Sequence, residues 1–243
     1  MPEGPSIVLL KEAVTQFVGK QTIEVTGNTK VDKSRLLHKK VIDFKSWGKH
    51  FLICFDDFTV RIHMLMFGSY LVNEQKEKPP RLGLKFENGE LNFYACSVKM
   101  IDGDVNNTYD FSSDVMNDNW NPEGANTKLK QIPDTLICDA LLDQNIFSGV
   151  GNIIKNEVLY RVRIHPKSKV GEIPLPKLDE LIKEARIYSF DFVAWKRDFV
   201  LKQHWLAHKK KICLRCDLPI YTEYMGLLKR RSFFCTNCQI LYT

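Results

Sequence analysis

The sequence predicts an α+β protein in which an N-terminal helix and a β-sandwich domain precede a helical domain and a small cysteine-rich end. Three observations carry this expectation. Between Thr22 and Tyr94 the apolar residues fall in short β-branched and aromatic runs with turn signals between them, as in a sandwich or barrel. From about residue 128 onward the apolar spacing becomes helical. Near the C-terminus four cysteines stand as Cys213-x2-Cys216 and Cys235-x2-Cys238, the two knuckles 18 residues apart, the spacing of a four-thiolate zinc site. A chain of 243 residues with 44% hydrophobic content can supply the cores this plan requires.

Each element has its own signal. Pro5 is placed to start a helix, and Ile7, Leu10, Val14 and Phe17 recur at helical spacing before Gly19 stops it. Val41 to Trp47, Phe51 to Phe55 and Phe58 to Met64 read as strands, broken at Gly48-Lys49 and Asp56-Asp57. Leu82 to Tyr94 holds an Asn88-Gly89 hairpin turn. Residues 106–127 are rich in Asn, Asp and Ser, carry Pro122 and Gly124, and read as a connection. Asp134 is the expected N-cap of a helix reaching about Asp143, and further helices are expected from Asn152 to about Arg163, over about 175–187 and over about 190–207. The expected domains are therefore 1–110, a linker at 111–127, a helical domain at 128–208 and a zinc finger at 209–243.

Charge and cysteines narrow the function classes. Residues 201–243 hold Lys202, Lys209, Lys210, Lys211, Arg215, Lys229, Arg230 and Arg231 against Asp217 and Glu223, a surplus equal to the net +6 of the whole chain. Such confinement points to an anionic partner, of which nucleic acid is the commonest. No apolar run approaches the roughly 20 residues that span a bilayer, and no leader-like start is present, so a cytosolic, nucleoid-associated protein with no membrane partner is expected. A reducing compartment favours zinc over disulfides. Four protein thiolates leave the metal no open position, which makes it structural. Cys54, Cys96 and Cys138 sit among apolar neighbours and read as core. Nothing resembles a nucleotide-triphosphate loop or a Ser/His/Asp arrangement, and the six histidines lack metal spacing.

Four stretches can carry chemistry. With Met1 removed, Pro2 is a secondary amine beside the Glu3 carboxylate, just ahead of a helix; the same residues could equally be a helix lead-in. Lys49 occupies a strand turn, either solvated or aimed at a ligand. His63-Met64-Leu65-Met66-Phe67-Gly68 is either a buried strand end or a wedge that fills the hole left by an extruded nucleotide. Gly149-Val150-Gly151-Asn152 is either a helix connection or a helix N-terminus that a phosphate can approach.

Taken in order, these pieces resemble the formamidopyrimidine-DNA glycosylase/endonuclease VIII family, and Met-Pro-Glu-Gly-Pro is similar to the endonuclease VIII branch. Gly48-Lys49 resembles the family's lysine turn, and His63 to Gly68 its intercalation loop. Asp114-Val115-Met116 with Trp120 resembles the linker. Asp143-Gln144 through Asn152-Ile153, with Glu157 and Ile164-His165-Pro166, resembles the helix-two-turn-helix signature, and Arg230 to Gln239 the zinc-finger end.

The resemblance implies a bifunctional glycosylase and lyase acting on damaged double-stranded DNA as a monomer, removing oxidised bases, pyrimidines foremost, with β,δ-elimination. It assigns Pro2 as nucleophile, Glu3 as general acid/base, Lys49 to phosphate and proton transfer, and Arg230 to the lesion phosphate and δ-elimination. Asn152, Lys155 and Arg231 are expected to hold DNA, and Leu65, Met66 and Phe67 to fill the vacated stack. Cys213, Cys216, Cys235 and Cys238 would hold one structural Zn2+. The chain departs from the family at Ser6, where a glutamate is usual, in a wedge without Gln or Tyr, and at Tyr109-Asp110-Phe111, which lacks an arginine. Those departures define the alternative, a catalytically weak protein that binds lesions or abasic sites.

Overall fold

A computed structural model describes residues 2–243, which form two compact units divided between Asp110 and Phe111.

In the first unit α1 (Gly4–Ala13) begins with Pro5 in its first turn and buries Ile7 and Leu10. A single 3-10 turn, Thr15–Phe17, then sets Phe17 against Phe86 with ring centroids 4.5 Å apart. Six strands follow: β1 (Thr22–Thr26), β2 (Asp43–Trp47), β3 (His50–Cys54), β4 (Phe58–Val72), β5 (Leu82–Phe86) and β6 (Gly89–Asp102), in the antiparallel order β1-β5-β6-β4-β3-β2. Of β4 only the first half pairs with β3, and of β6 only the first half pairs with β5. The two faces of the expected sandwich are thus joined through the long β4–β6 pair. β4 runs eight residues past the expected end at Met64 because its ladder with β6 resumes at Ser69↔Tyr94 after a break in register. Alternating residues of these strands, among them Phe51, Ile53, Val60, Ile62, Leu91 and Phe93, close one core together with α1.

The second unit departs from the sequence expectation in three places. The stretch read as a linker contains α2 (Pro122–Lys130), started by Pro122 and capped by the Asn121 side chain, which accepts from the Gly124 N–H at 2.9 Å. Burial of Ala125 and Leu129 in the helical core makes it part of the domain. Asp134 is not an N-cap: α3 (Ile137–Ala140) is a single turn whose cap is Leu136, and Asp134 lies 3.6 Å from Lys169 Nζ. The helices expected on either side of residue 188 are one, α5 (Leu175–Arg197). Ser189 lies within it, its hydroxyl donating to the Ala185 carbonyl at 2.7 Å.

Between α3 and α5 runs α4 (Asn152–Arg161), and the chain ends in the hairpin of β7 (Tyr221–Met225) and β8 (Arg230–Phe234). A second apolar cluster made of Tyr160, Ala207, Cys213, Ile220, Phe233 and Cys235 ties that hairpin to α4. Among the described residues no helix is long and apolar enough to cross a membrane.

Candidate functional site

In the first unit, Glu3 is the backbone N-cap of α1 and its carbonyl accepts from the Ser6 N–H at 2.8 Å. Glu3 is 5% exposed and Ser6 is buried, whereas Pro2 is half-buried. A carboxylate is thereby set at the positive end of a helix, directly after the candidate nucleophile. Met1, whose removal that role requires, lies outside the described residues.

Lys49 occupies the β2–β3 turn. Trp47 pairs with His50, leaving Gly48 and Lys49 as a two-residue loop with Gly48 at φ +53°, the place where hairpins of this length want glycine. The turn is clasped from behind. Trp47 donates its indole N–H to the Asp110 carbonyl at 2.9 Å and lies on the Tyr109 ring, centroids 4.9 Å apart. The Tyr109 hydroxyl is 3.2 Å from His50 Nδ1, and His50 meets His63 edge-on. Burial, and after it the charges of Arg61, His63 and Lys49, push His50 down to about 3. Burial, then Arg61 and Lys49, lower His63 as well. Both rings are neutral at pH 7, so Lys49 and Arg61 supply the positive charge here.

The apolar stretch is a true protrusion. The β4–β6 register jumps from Met64↔Cys96 to Ser69↔Tyr94, so Leu65 to Gly68 bulge out opposite Ala95. Leu65, Met66 and Phe67 are 47%, 65% and 88% exposed. Phe67 stands at φ +65°, and a Cβ on Gly68 would come within 2.7 Å of the Ala95 carbonyl oxygen. The reading of this stretch as a buried strand end is overturned by that exposure.

In the second unit Gln144 organises the loop before α4. Its amide donates to the Leu142 and Val150 carbonyls, and its carbonyl accepts from the Gly149 N–H at 3.1 Å. Asn152 opens α4 with its Nδ2 on the Arg231 carbonyl at 3.0 Å, while its buried Oδ1 has no partner. Lys155 is 1% exposed and donates to Ser232 Oγ at 2.8 Å. Its expected role as a DNA contact is therefore corrected: the ammonium is enclosed and holds β8. Asn156 completes the grip, donating to the Arg231 carbonyl at 3.3 Å and accepting from the Phe233 N–H at 3.1 Å. Arg231 is exposed, its guanidinium 2.8 Å from the Tyr224 hydroxyl, and Arg230 is half-buried at the start of β8.

The four C-terminal cysteines come together, with all four sulfurs within 4.8 Å of one another. Cys213 Sγ is 3.6 Å from Cys238 Sγ, and Cys216 Sγ is 3.4 Å from Cys235 Sγ. Tetrahedral Zn–S bonds of about 2.3 Å place sulfurs about 3.8 Å apart, so the set fits such an ion. Cys54, Cys96 and Cys138 are buried core residues, as expected.

Sequence reasoning missed the groups that set this second unit in place. Tyr160 on α4 puts its hydroxyl 3.2 Å from Cys213 Sγ and gives its carbonyl to Arg215 at 2.7 Å. Buried Glu157 accepts the N–H groups of Leu206, Ala207 and His208 at 2.8, 3.0 and 2.7 Å. No spacing rule signals either contact, because each joins segments about fifty residues apart.

A β-sheet unit led by an acid-capped helix, a helical unit with a Gly-x-Gly-Asn loop and a four-cysteine hairpin define an Fpg-like fold with a helix-two-turn-helix domain. The family model for the formamidopyrimidine-DNA glycosylase N-terminal domain matches residues 1–97, and that for the formamidopyrimidine-DNA glycosylase H2TH domain matches residues 112–187. The chain belongs to the formamidopyrimidine-DNA glycosylase family.

Among curated relatives, Endonuclease 8-like 3 of Mus musculus is 29% identical over 201 residues, 79% of this chain and 33% of the relative. The chain spans about a third of the length of the Endonuclease 8-like 3 proteins it matches. The DNA-(apurinic or apyrimidinic site) lyase Nei2 of Mycolicibacterium smegmatis is 24% identical and covered to 99%, with 98% of this chain. The crystal structure of Lactococcus lactis formamidopyrimidine-DNA glycosylase, non-covalently bound to DNA containing an AP site, superposes with a TM-score of 0.86 at 20% identity, covering 98% of this chain and 99% of that one.

Proposed function

We propose that this protein is a base-excision-repair DNA glycosylase and AP lyase that removes oxidised bases, pyrimidines foremost, from double-stranded DNA as a monomer. Pro2, freed of Met1, attacks the deoxyribose C1′, expels the base and loses its N–H proton; the C1′–O4′ bond then breaks, O4′ taking a proton, to give an iminium that serves as electron sink for β- and then δ-elimination. An α-amino group has a reference pKa about 2.5 units below that of lysine, so far more of it is neutral near pH 7. Glu3 exchanges the protons at the sugar, a role worth typically about 10² to 10⁴-fold in rate. Lys49 meets phosphate and assists β-elimination; Arg230 grips the lesion phosphate and assists the δ-step. Asn152 and Arg231 hold backbone, and Leu65, Met66 and Phe67 occupy the space of the extruded nucleotide. The four cysteines hold Zn2+, which fixes the hairpin carrying Arg230 and Arg231 and takes no part in the chemistry.

The observation that carries this reading is the buried Glu3 at the backbone N-cap of α1, immediately after Pro2. It is tested with duplexes bearing thymine glycol, dihydrouracil, 8-oxoguanine or an abasic site, treated with borohydride. A covalent adduct that peptide mapping places on Pro2 is expected, and an abasic duplex that never traps sinks the lyase mechanism. Buried Ser6, standing where the family has a carboxylate, favours the second reading if tight abasic-site binding is found without cleavage.

A further inference from the structure

The turn between β7 and β8 is hydrogen-bonded to a side chain of the helical core, next to Met225, which is buried in that core. Asp139 on α3 accepts the Leu227 N–H on Oδ2 at 3.0 Å. The preceding residue, Gly226, stands at φ +73°, and a Cβ there would lie 2.1 Å from Asp139 Oδ1 and 2.5 Å from both Cγ and Oδ2. Two independent features therefore converge. The backbone needs glycine for its left-handed conformation, and the carboxylate lies flat in the space that any side chain would take. Beyond the attachment come Leu227 and Leu228, 88% and 63% exposed, then Lys229 at φ +44° and Arg230.

The other polar contacts to the hairpin fall on its strands, while Met225 at the turn end of β7 is buried in the helical core. Lys155 and Asn156 grip β8 at Arg231, Ser232 and Phe233. Lys167 pairs with Glu223 on β7 at 2.8 Å. The cysteines close the end away from the turn. Among the described residues, the Asp139 contact is the hydrogen bond that joins the segment from Gly226 to Arg230 to α3.

We infer that Asp139 is a positioning residue which locks the β7–β8 turn and so fixes where Arg230 meets phosphate. Asp139 also stands four residues before Asp143, which accepts the Asn145 N–H at 2.8 Å in the loop that leads to Asn152. One short stretch thus makes contacts in both the loop that leads to Asn152 and the turn that leads to Arg230. The inference rests on the lyase reading for its consequence in catalysis, but the lock itself can be read in the free protein.

The test uses Asp139→Ala, Asp139→Asn and Gly226→Ala in the zinc-loaded full chain. Amide hydrogen exchange at Leu227 is expected to quicken about tenfold in Asp139→Ala, as for loss of a charge-assisted hydrogen bond. In Asp139→Asn, which keeps an acceptor, most of the protection should return. On an abasic duplex the ratio of δ- to β-elimination product should fall about fivefold or more in Asp139→Ala and Gly226→Ala, with recovery in Asp139→Asn. Unchanged exchange at Leu227 overturns the lock. Quickened exchange with an unchanged product ratio overturns its role in placing Arg230. A parent protein that neither traps nor cleaves removes the lyase reading instead, and the exchange measurement still decides the lock.

Discussion

The Tyr160 hydroxyl lies 3.2 Å from Cys213 Sγ, and burial, followed by that contact, pushes its ionisation up to about 12. At neutral pH it keeps its proton and can donate to a metal-bound thiolate. Outer-shell donors of this kind are typically worth about 10 to 100-fold in metal affinity. With the four cysteines holding zinc as proposed, Tyr160→Phe should therefore lose the metal to a colorimetric chelator at about 10-fold lower chelator concentration, with little change in helix content; an unchanged competition curve refutes the role. The four ligands were legible because thiolate spacing along the chain reports the site directly. The donor was not, because the pairing exists only once α4 packs on the finger. Lys155 shows the converse. A lysine on the helix opened by Asn152 reads as a phosphate contact, but its enclosure under β8 depends on Arg231 and Ser232, 76 and 77 residues away.

The bulge between β4 and β6 concentrates cost and purpose in one element. Phe67 holds a left-handed backbone, which costs a non-glycine residue roughly 1 to 2 kcal/mol, and at 88% exposure it regains little from burial. Phe67→Gly should leave the melting temperature unchanged or raise it. On the proposed reading the same change should lower base excision from duplex about tenfold, because a wedge there would offset part of the few kcal/mol that extrusion costs. Thermal melts alongside single-turnover excision check both signs, and a variant that loses stability without losing excision refutes the assignment. The hexapeptide announced itself through its unbroken run of large apolar residues before Gly68. Its four-residue length did not, because the bulge is set by where the β6 ladder resumes, at Ser69↔Tyr94. Likewise α2 hid in a stretch whose composition suits a connector; Pro122 and Asn121 in fact start a helix, and only the burial of Leu129 makes it belong to the core.

Across the molecule four buried or half-buried histidines link stability to pH in one direction. Burial comes first among the causes lowering His50 to about 3 and His208 to about 4, and it lowers His63 and His165 too. A depressed histidine is neutral in the folded protein, while in the unfolded chain it takes up a proton below about 6.5. The unfolded state therefore binds more protons through the window from about 6.5 down to the folded value, and stability falls as pH falls through it. For His50, lowering the pH from 7.5 to 5.5 should remove about 1.4 kcal/mol, one tenfold step in the unfolded-state proton uptake. Glu157 and Glu184, raised by burial, act oppositely from about pH 4.5 upward, so the whole-chain slope is a sum and the single-site difference is the quantity to measure. Trp47 is the sole tryptophan of residues 1–110 and lies beside His50, ring centroids 5.5 Å apart. With Trp120, Trp195 and Trp205 replaced by phenylalanine, urea unfolding followed at Trp47 should shift to a lower midpoint between pH 7.5 and 5.5. In that background His50→Asn should flatten the shift, whatever it does to stability at pH 7.5. An equal shift with and without the imidazole would mean that His50 takes up its proton in the folded protein, with Lys49 and Arg61 no obstacle to it.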